Sequence, residues 1–256
     1  MKNLTAFMLL TLLVIQPSIT FAAPVDKNLA IVIDDFGNNM KGTKEILDLP
    51  FHLTIAVMPF MPTTKEDANQ AYKKGHDVII HLPMEPKSGK KSWLGPGAIT
   101  SDLSNEEIRK RTENAVKNVP HAIGMNNHMG SKVMEDKRIM RIILEVCKEH
   151  GLFYLDSKTT GNSVVPELAK EIGVPVLENN VFFDDVYSVQ HITKQADLVE
   201  RNLSNTDQLI AIGHVGVSGL MTYSILTKYI PKYERVANIV SLSELVRQYR
   251  LLDKRL

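Results

Sequence analysis

The sequence predicts a single α/β domain built as a distorted (β/α) barrel of seven or eight parallel strands. From Leu29 onward, short continuous apolar runs alternate with segments of helical period, which is typical of parallel strands buried on both faces. Five of these runs carry an Asp or His within their last three residues, which matches the carboxyl-end face where parallel barrels keep their active sites. No Gly-x-Gly-x-x-Gly motif follows the first run, so an open dinucleotide-binding sheet is disfavoured.

Eight short apolar runs are predicted as strands. They are Leu29–Asp35, Leu53–Pro59, Asp77–Pro83, Ala122–His128, Leu152–Ser157, Val174–Leu177, Leu209–His214 and Val236–Val240. Apolar residues at three- and four-residue spacing predict helices, most clearly at Glu106–Val119, Asp136–His150 and Ile192–Leu203. Ser104 precedes the first of these helices as an N-cap, and Glu107 completes a capping box.

Residues 1–22 have the order of a secretory signal. Lys2 precedes the apolar stretch Ala6–Ile15, and a small residue stands at the cleavage site after Ala22. The stretch is shorter than the ~20 residues of a membrane-spanning helix, and an uncleaved anchor is the alternative. We therefore predict an exported protein, secreted or periplasmic, with no membrane span once the signal is removed. The predicted organisation is signal 1–22, linker 23–28 and one domain over 29–256.

The charge balance excludes one class of partner. The chain carries 30 Lys+Arg against 29 Asp+Glu, a formal net charge of +1. Removal of residues 1–22 takes away Lys2, so that 29 charges of each sign remain and the formal charge is zero. Such a chain has no field that gathers a polyanion, so no nucleic-acid partner is expected.

Two adjacent carboxylates, Asp34 and Asp35, close the first predicted strand. This pair suits a hydrolytic site if one carboxylate binds a cation and the other accepts a proton. A cation held by Asp35 lowers the pKa of bound water towards ~7, and Asp34 is then the general base. The alternative is that the pair caps the next helix and turns the chain.

Histidines lie at the ends of the third and fourth predicted strands. His81 and His128 offer imidazole nitrogens, and with Asp35 they make a set of two imidazoles and one carboxylate, which zinc binds well. Glu85 is an alternative ligand four residues after His81, although Pro83 excludes a regular helix there. The structural alternatives are a core histidine at 81 and, at 128, a turn whose asparagines bond their own backbone.

Other polar and aromatic residues are candidates for the surroundings of this site. His214 ends an apolar strand between two glycines and is a candidate proton donor, with a turn histidine as the alternative. Asp156 either orients a histidine or caps a helix, and Asn127 and Asp185 are further candidates beside the ligands or the substrate. Trp93 precedes a Gly-Pro-Gly turn and either stacks on a sugar ring or anchors its loop in the domain.

With these residues in place, the sequence resembles the divergent polysaccharide deacetylase family, a branch of the carbohydrate esterases with the NodB-type fold. The resemblance covers about residues 29–246. It rests on the segments Ile33–Gly37, His81–Pro86, Asn127–Ser131, Asp156-Ser157 and Gly213-His214. It implies a NodB-like barrel and the metal-dependent removal of acetyl groups from N-acetylated sugars.

The resemblance also implies roles for individual residues. Asp34 matches the base and Asp35 the metal-binding carboxylate of these enzymes. His81 matches the first member of their His-x-x-x-His pair, but Glu85 stands where the second histidine is expected. We therefore prefer His128 as the second imidazole. The late histidine that acts as the acid is matched by His214.

These expectations combine into one functional hypothesis. The protein is expected to be a zinc-dependent hydrolase that removes N-acetyl groups from an extracytoplasmic glycan, peptidoglycan or a related polymer. The nucleophile is water activated at the metal. The alternative is a non-catalytic glycan- or cell-wall-binding protein on a deacetylase fold. A near-zero formal charge suits a neutral glycan at least as well as an acidic one.

Overall fold

The computed structural model describes residues 27–253 of the chain. The predicted signal at 1–22 and most of the predicted linker at 23–28 lie outside the described residues. Within the described part, strands and helices alternate along most of the chain, as the apolar runs predict. None of the helices in this part is long and apolar enough to cross a membrane.

The described residues form nine strands. They are β1 (Asn28–Phe36), β2 (Thr54–Val57), β3 (Asp77–Met84), β4 (Ala122–Met129), β5 (Phe153–Asp156), β6 (Val176–Glu178), β7 (Val181–Phe182), β8 (Gln208–His214) and β9 (Asn238–Val240). All strand pairings are parallel, in the order β6-β5-β4-β3-β2-β1-β8-β7, and β9 pairs with the start of β1.

The sheet curls into a barrel that stays open between β6 and β7, which are not paired with each other. The predicted distorted parallel barrel is therefore confirmed. The two-residue strand β7 was absent from the predicted strands, because two apolar residues give no periodic pattern. The predicted runs Val174–Leu177 and Val236–Val240 form strands that begin two residues later than expected.

The described part has eight α-helices, of which seven lie between strands and the last follows β9. They are α1 (Thr43–Leu47), α2 (Thr64–Lys73), α3 (Asn105–Asn118), α4 (Lys137–Glu149), α5 (Val165–Ile172), α6 (Val189–Leu203), α7 (Gly219–Tyr233) and α8 (Leu242–Asp253). The predicted cap of α3 is present, since Ser104 Oγ accepts a hydrogen bond from the Glu107 amide at 3.2 Å.

Side chains along β1 alternate between two apolar clusters. The odd-numbered residues from Leu29 to Ile33 pack in the larger cluster with the helices, whereas Ala30 and Val32 belong to a smaller cluster inside the curled sheet. Leu242 of α8 joins the inner cluster, and its amide bonds Thr54 Oγ1 at the start of β2. Apolar side chains and α8 therefore fill the amino-terminal end of the barrel, and polar side chains are left for the carboxyl-terminal end.

Candidate metal centre

A cleft of about 340 Å³ opens at the carboxyl ends of the strands. Strands β1, β3, β4 and β8 contribute its polar walls. Among the lining residues are Asp34, Asp35, His81, Asn127, His128 and His214. The predicted strand-end residues, which are far apart in sequence, thus share one site because parallel strands end at the same face of a barrel.

Both carboxylates of the first strand line the cleft, although neighbouring residues of a regular strand point to opposite faces. Asp35 has a φ of 70°, and the register between β1 and β2 shifts between Ile33 and Phe36. This left-handed residue breaks the alternation at a cost of about 1–3 kcal/mol, a strain that clusters at functional sites. Helix α1 begins only at Thr43, so Asp34 and Asp35 do not cap it.

One atom from each of Asp35, His81 and His128 lies within 4.8 Å of the other two. Asp35 Oδ1 is 2.9 Å from His128 Nδ1 and 3.2 Å from His81 Nε2. The two imidazole nitrogens are 3.2 Å apart. Of the residues that the structure describes, these three alone converge in this way.

The converging atoms fit a divalent cation. Asp35 Oδ1 is buried and has no hydrogen-bond partner, despite the two imidazole nitrogens beside it. A buried oxygen without a hydrogen-bond partner is costly, and a cation among the three atoms would remove that cost. Two imidazoles and one carboxylate, open on the cleft side, form the donor set of many catalytic zinc sites.

In each of the two histidines, the ring nitrogen that faces away from Asp35 has its own hydrogen-bond partner. His81 Nδ1 lies 2.8 Å from Asn126 Oδ1. His128 Nε2 lies 3.1 Å from the carbonyl oxygen of Trp93. Because both partners are acceptors, these nitrogens would carry the protons when the rings are neutral, and the opposite nitrogens would then have electron pairs free for a cation.

Burial and neighbouring charges shift the pKa values of Asp34 and Asp35 in opposite directions. Burial raises the pKa of Asp34, and the nearby imidazole of His81 only partly opposes this. Burial also acts to raise the pKa of Asp35, but His128 and His81 outweigh it and hold that pKa well below its usual range. Asp35 is thus the anion suited to a cation, and Asp34 the carboxylate with greater proton affinity.

His214 reaches the cleft from the end of β8 and is held by Asp184. Its Nδ1 lies 2.7 Å from Asp184 Oδ1, and Asp184 Oδ2 accepts hydrogen bonds from the His214 amide and from the hydroxyls of Ser218 and Thr222. Burial lowers the pKa of His214, but the bonded Asp184 and the charge of Asp35 outweigh it and raise the pKa to about 10.

Asp184 is the carboxylate that orients His214, a role for which Asp156 was a candidate in the sequence. The carboxylate of Asp184 is fully buried and follows the two-residue strand β7, so its only sequence signal was an acidic pair after Val181–Phe183. Asp156 is also buried, but its Oδ1 accepts a hydrogen bond from the Lys158 amide at 2.7 Å, as in a turn. The structure gives Asp156 no contact with His214.

Glu85 lies apart from the three converging atoms. Its carboxylate accepts hydrogen bonds from Lys132 Nζ at 2.8 Å and from the Ser101 amide at 2.7 Å. The bonded Lys132 holds the pKa of Glu85 at about 2. This side chain ties the loop after β3 to the segment after β4, which gives it a structural role at the rim.

The remaining candidates surround the cleft. Asn127 donates to the Met129 carbonyl at 2.7 Å, the backbone bond of a turn, and its Oδ1 accepts from the Ser157 amide. Asp185 lines the cleft and pairs with His191 at 2.6 Å. The Trp93 ring is 57% exposed, so it does not anchor its loop in the core.

The fold and the cleft together define a class of protein: a parallel (β/α) barrel with an Asp-His-His candidate metal centre at the carboxyl ends of its strands. The model of the divergent polysaccharide deacetylase family matches residues 31–246. The chain belongs to this family, which confirms the resemblance seen in the sequence.

Two bacterial relatives are similar in sequence. The chain is 40% identical over 190 residues to the uncharacterized protein YibQ of Escherichia coli (strain K12), which covers 73% of this chain and 58% of that protein. It is 36% identical over 186 residues to an uncharacterized protein of Haemophilus influenzae, which covers 73% of this chain and 66% of that protein. The chain thus spans less than two thirds of the length of either relative.

Solved structures share the fold at low sequence identity. An uncharacterized protein, ATU2773, from Agrobacterium tumefaciens C58 superposes with a TM-score of 0.80 at 19% identity, covering 88% of this chain and 92% of the other. The Bc1960 peptidoglycan N-acetylglucosamine deacetylase superposes with a TM-score of 0.50 at 16% identity, covering 88% and 90%. Both likenesses support the NodB-like barrel.

Proposed function

We propose that this protein is a metal-dependent hydrolase that removes N-acetyl groups from an extracytoplasmic glycan, peptidoglycan or a related polymer. The observation that carries the proposal is the convergence of Asp35, His81 and His128 in the same cleft as Asp34 and His214. A hydrolase of this kind needs a cation site, a base and an acid around one reacting group.

Asp35, His81 and His128 would hold the cation, with zinc as the expected metal. A divalent cation at this place lowers the pKa of water and polarises an amide carbonyl. Asp34 lies against this site without belonging to the three converging atoms, with its Oδ2 3.7 Å from His81 Nδ1. Its buried carboxylate, with the raised pKa, is suited to take a proton from the attacking water.

His214 supplies the second proton transfer. In the hydrolysis, the water oxygen bonds to the acetyl carbon, the carbon–nitrogen bond breaks, and the departing amine takes a proton. Asp184 raises the pKa of His214 and favours the protonated ring, which suits this side chain to act as the acid. Asp184 bonds Nδ1 and thereby leaves Nε2 as the nitrogen that can serve the cleft.

The cleft wall supports a neutral sugar as the substrate. Neither lysine nor arginine is among the described residues that line it, so it offers no ammonium or guanidinium group to pair with a carboxylate or phosphate. Met40, Phe182, Tyr187 and Val217 form apolar parts of the wall, and Tyr187 is 63% exposed. Aromatic and apolar surface of this kind can pack on a sugar ring or an acetyl methyl group.

Two further observations support the choice of polymer and place. The Bc1960 protein with the same fold is, by its name, a peptidoglycan N-acetylglucosamine deacetylase. Residues 1–22 have the order of a secretory signal, so we propose that the protein is exported and acts in the cell envelope or outside the cell.

The test is the release of acetate from N-acetylated glycan oligomers and from peptidoglycan by the zinc-loaded protein. We expect Asp34→Asn to retain zinc and to lower kcat by about 10²–10⁴-fold, because the base is lost while the cation ligands remain. The matched control is Asp136→Asn, since asparagine still caps helix α4 there. Glycan binding without acetate release by the wild type would contradict the proposal and favour a non-catalytic binding protein.

A further inference from the structure

Asn126 is a buried amide between the candidate base and a candidate metal ligand. It lies in β4 beside His81 of β3, and its side chain is inaccessible to solvent. Its Oδ1 is 2.8 Å from His81 Nδ1, while its Nδ2 donates to both carboxylate oxygens of Asp34 at 3.0 and 3.2 Å. In the sequence, Asn126 is predicted only as one of the turn asparagines before His128 that bond their own backbone.

The two neighbours determine the orientation of the amide. A carboxylate only accepts hydrogen bonds, so the NH₂ group of Asn126 must face Asp34. Its carbonyl oxygen then faces His81, and an acceptor in that position requires a proton on His81 Nδ1. In the neutral ring, Nε2 is consequently the unprotonated nitrogen, and Nε2 is the atom that lies 3.2 Å from Asp35 Oδ1.

We propose that Asn126 is a positioning residue that fixes His81 as an Nε2 ligand and holds the Asp34 carboxylate beside the cation site. The role of Asn126 in holding Asp34 rests on the proposed function. Its role in orienting His81 concerns metal binding alone. One side chain would thus set the geometry of both the ligand and the base. Outer partners of metal-bound histidines affect affinity by about 10–100-fold.

Two substitutions separate the two roles. Asn126→Asp keeps an acceptor oxygen for His81 Nδ1 but sets a second carboxyl group against Asp34, so that the two acids share a proton, whereas Asn126→Ala removes both hydrogen bonds. The matched control is Asn179→Ala, because Asn179 is a buried asparagine whose side chain bonds the Ser157 carbonyl and the Val181 amide, away from Asp34 and His81. Thermal denaturation of each variant establishes that it is folded before it is compared.

The experiment measures the Kd for Zn²⁺ by competition with a chelating dye, the visible spectrum of bound Co²⁺, and kcat for acetate release. For Asn126→Ala, we expect the Kd to weaken by about 10–100-fold, the Co²⁺ spectrum to change and kcat to fall by about 100-fold or more. For Asn126→Asp, we expect Zn²⁺ binding no weaker than in the wild type and a comparable loss of kcat. Asn179→Ala should retain the wild-type Kd and spectrum.

A Zn²⁺ Kd for Asn126→Ala equal to that of Asn179→Ala would overturn the ligand-orienting role. Wild-type kcat in Asn126→Asp would overturn the role in holding the base. A wild type that binds Zn²⁺ but releases no acetate would overturn the proposed function instead, and the Kd comparison would still test how Asn126 orients His81.

Discussion

Each of the three histidines in the cleft is held by a residue whose part in the site is hard to see in the sequence. His214 is bonded by Asp184, His81 by Asn126, and His128 by the backbone of Trp93. The reactive residues could be predicted because Asp and His at strand ends are conspicuous. Their partners could not, because Asn126 lies within a buried strand and its bonds join three strands distant in sequence.

Of the neighbours that keep His214 protonated, Asp184 has the largest effect. In the metal-free protein, Asp184 and the charge of Asp35 outweigh burial and raise the pKa of His214 to about 10, so the ring should stay protonated through neutral pH. Asp184→Asn removes the negative charge, and we expect the pKa to fall towards or below its ordinary value of 6.5. NMR titration of the His214 ring measures this directly. An unchanged pKa in Asp184→Asn would show that another group controls it.

At the level of elements, strand ends and loops bring the site together. The left-handed Asp35 at the end of β1 directs a second carboxylate into the cleft, and the loop after β3 brings the Trp93 carbonyl to His128. The apolar runs predicted most strands to within two residues because burial on both faces leaves a continuous pattern. They could not predict the break at Asp35 or the two-residue β7, which depend on tertiary contacts.

Glu85 should stabilise the loop after β3 in a pH-dependent manner. Its folded-state pKa of about 2 lies below its ordinary 4.5, so its contribution is present above about pH 4.5 and is lost as the pH falls towards about 2. We expect Glu85→Gln to lower the free energy of unfolding by about 1.5–3 kcal/mol at neutral pH, with the difference shrinking below pH 4.5.

Denaturant unfolding at several pH values measures this difference. Glu167→Gln is the matched control, because Glu167 is a largely exposed partner of Lys137 on the surface and should change stability by less than about 1 kcal/mol. A pH-independent difference between the wild type and Glu85→Gln would contradict the role of this carboxylate.

On the scale of the whole molecule, one end of the barrel provides stability and the other chemistry. Apolar residues of the inner cluster and α8 fill the amino-terminal end, while the carboxyl-terminal end collects carboxylates and imidazoles. The fold class and this difference between the two ends of the barrel could be predicted from the sequence, because strand-end polar residues define the active face of a parallel barrel. Whether His128 or Glu85 lies beside Asp35 and His81 required the structure, since Glu85 is as close to His81 in sequence as a ligand would be.

The zinc content of the purified protein tests the central claim most directly, because it requires no knowledge of the glycan. After loosely bound ions are removed, we expect about one zinc per chain in the wild type and in Glu85→Gln, and little or none in His128→Ala. This pattern would support Asp35, His81 and His128 as the ligands. A wild type that retains no zinc even after zinc is supplied, or a loss confined to Glu85→Gln, would contradict the account.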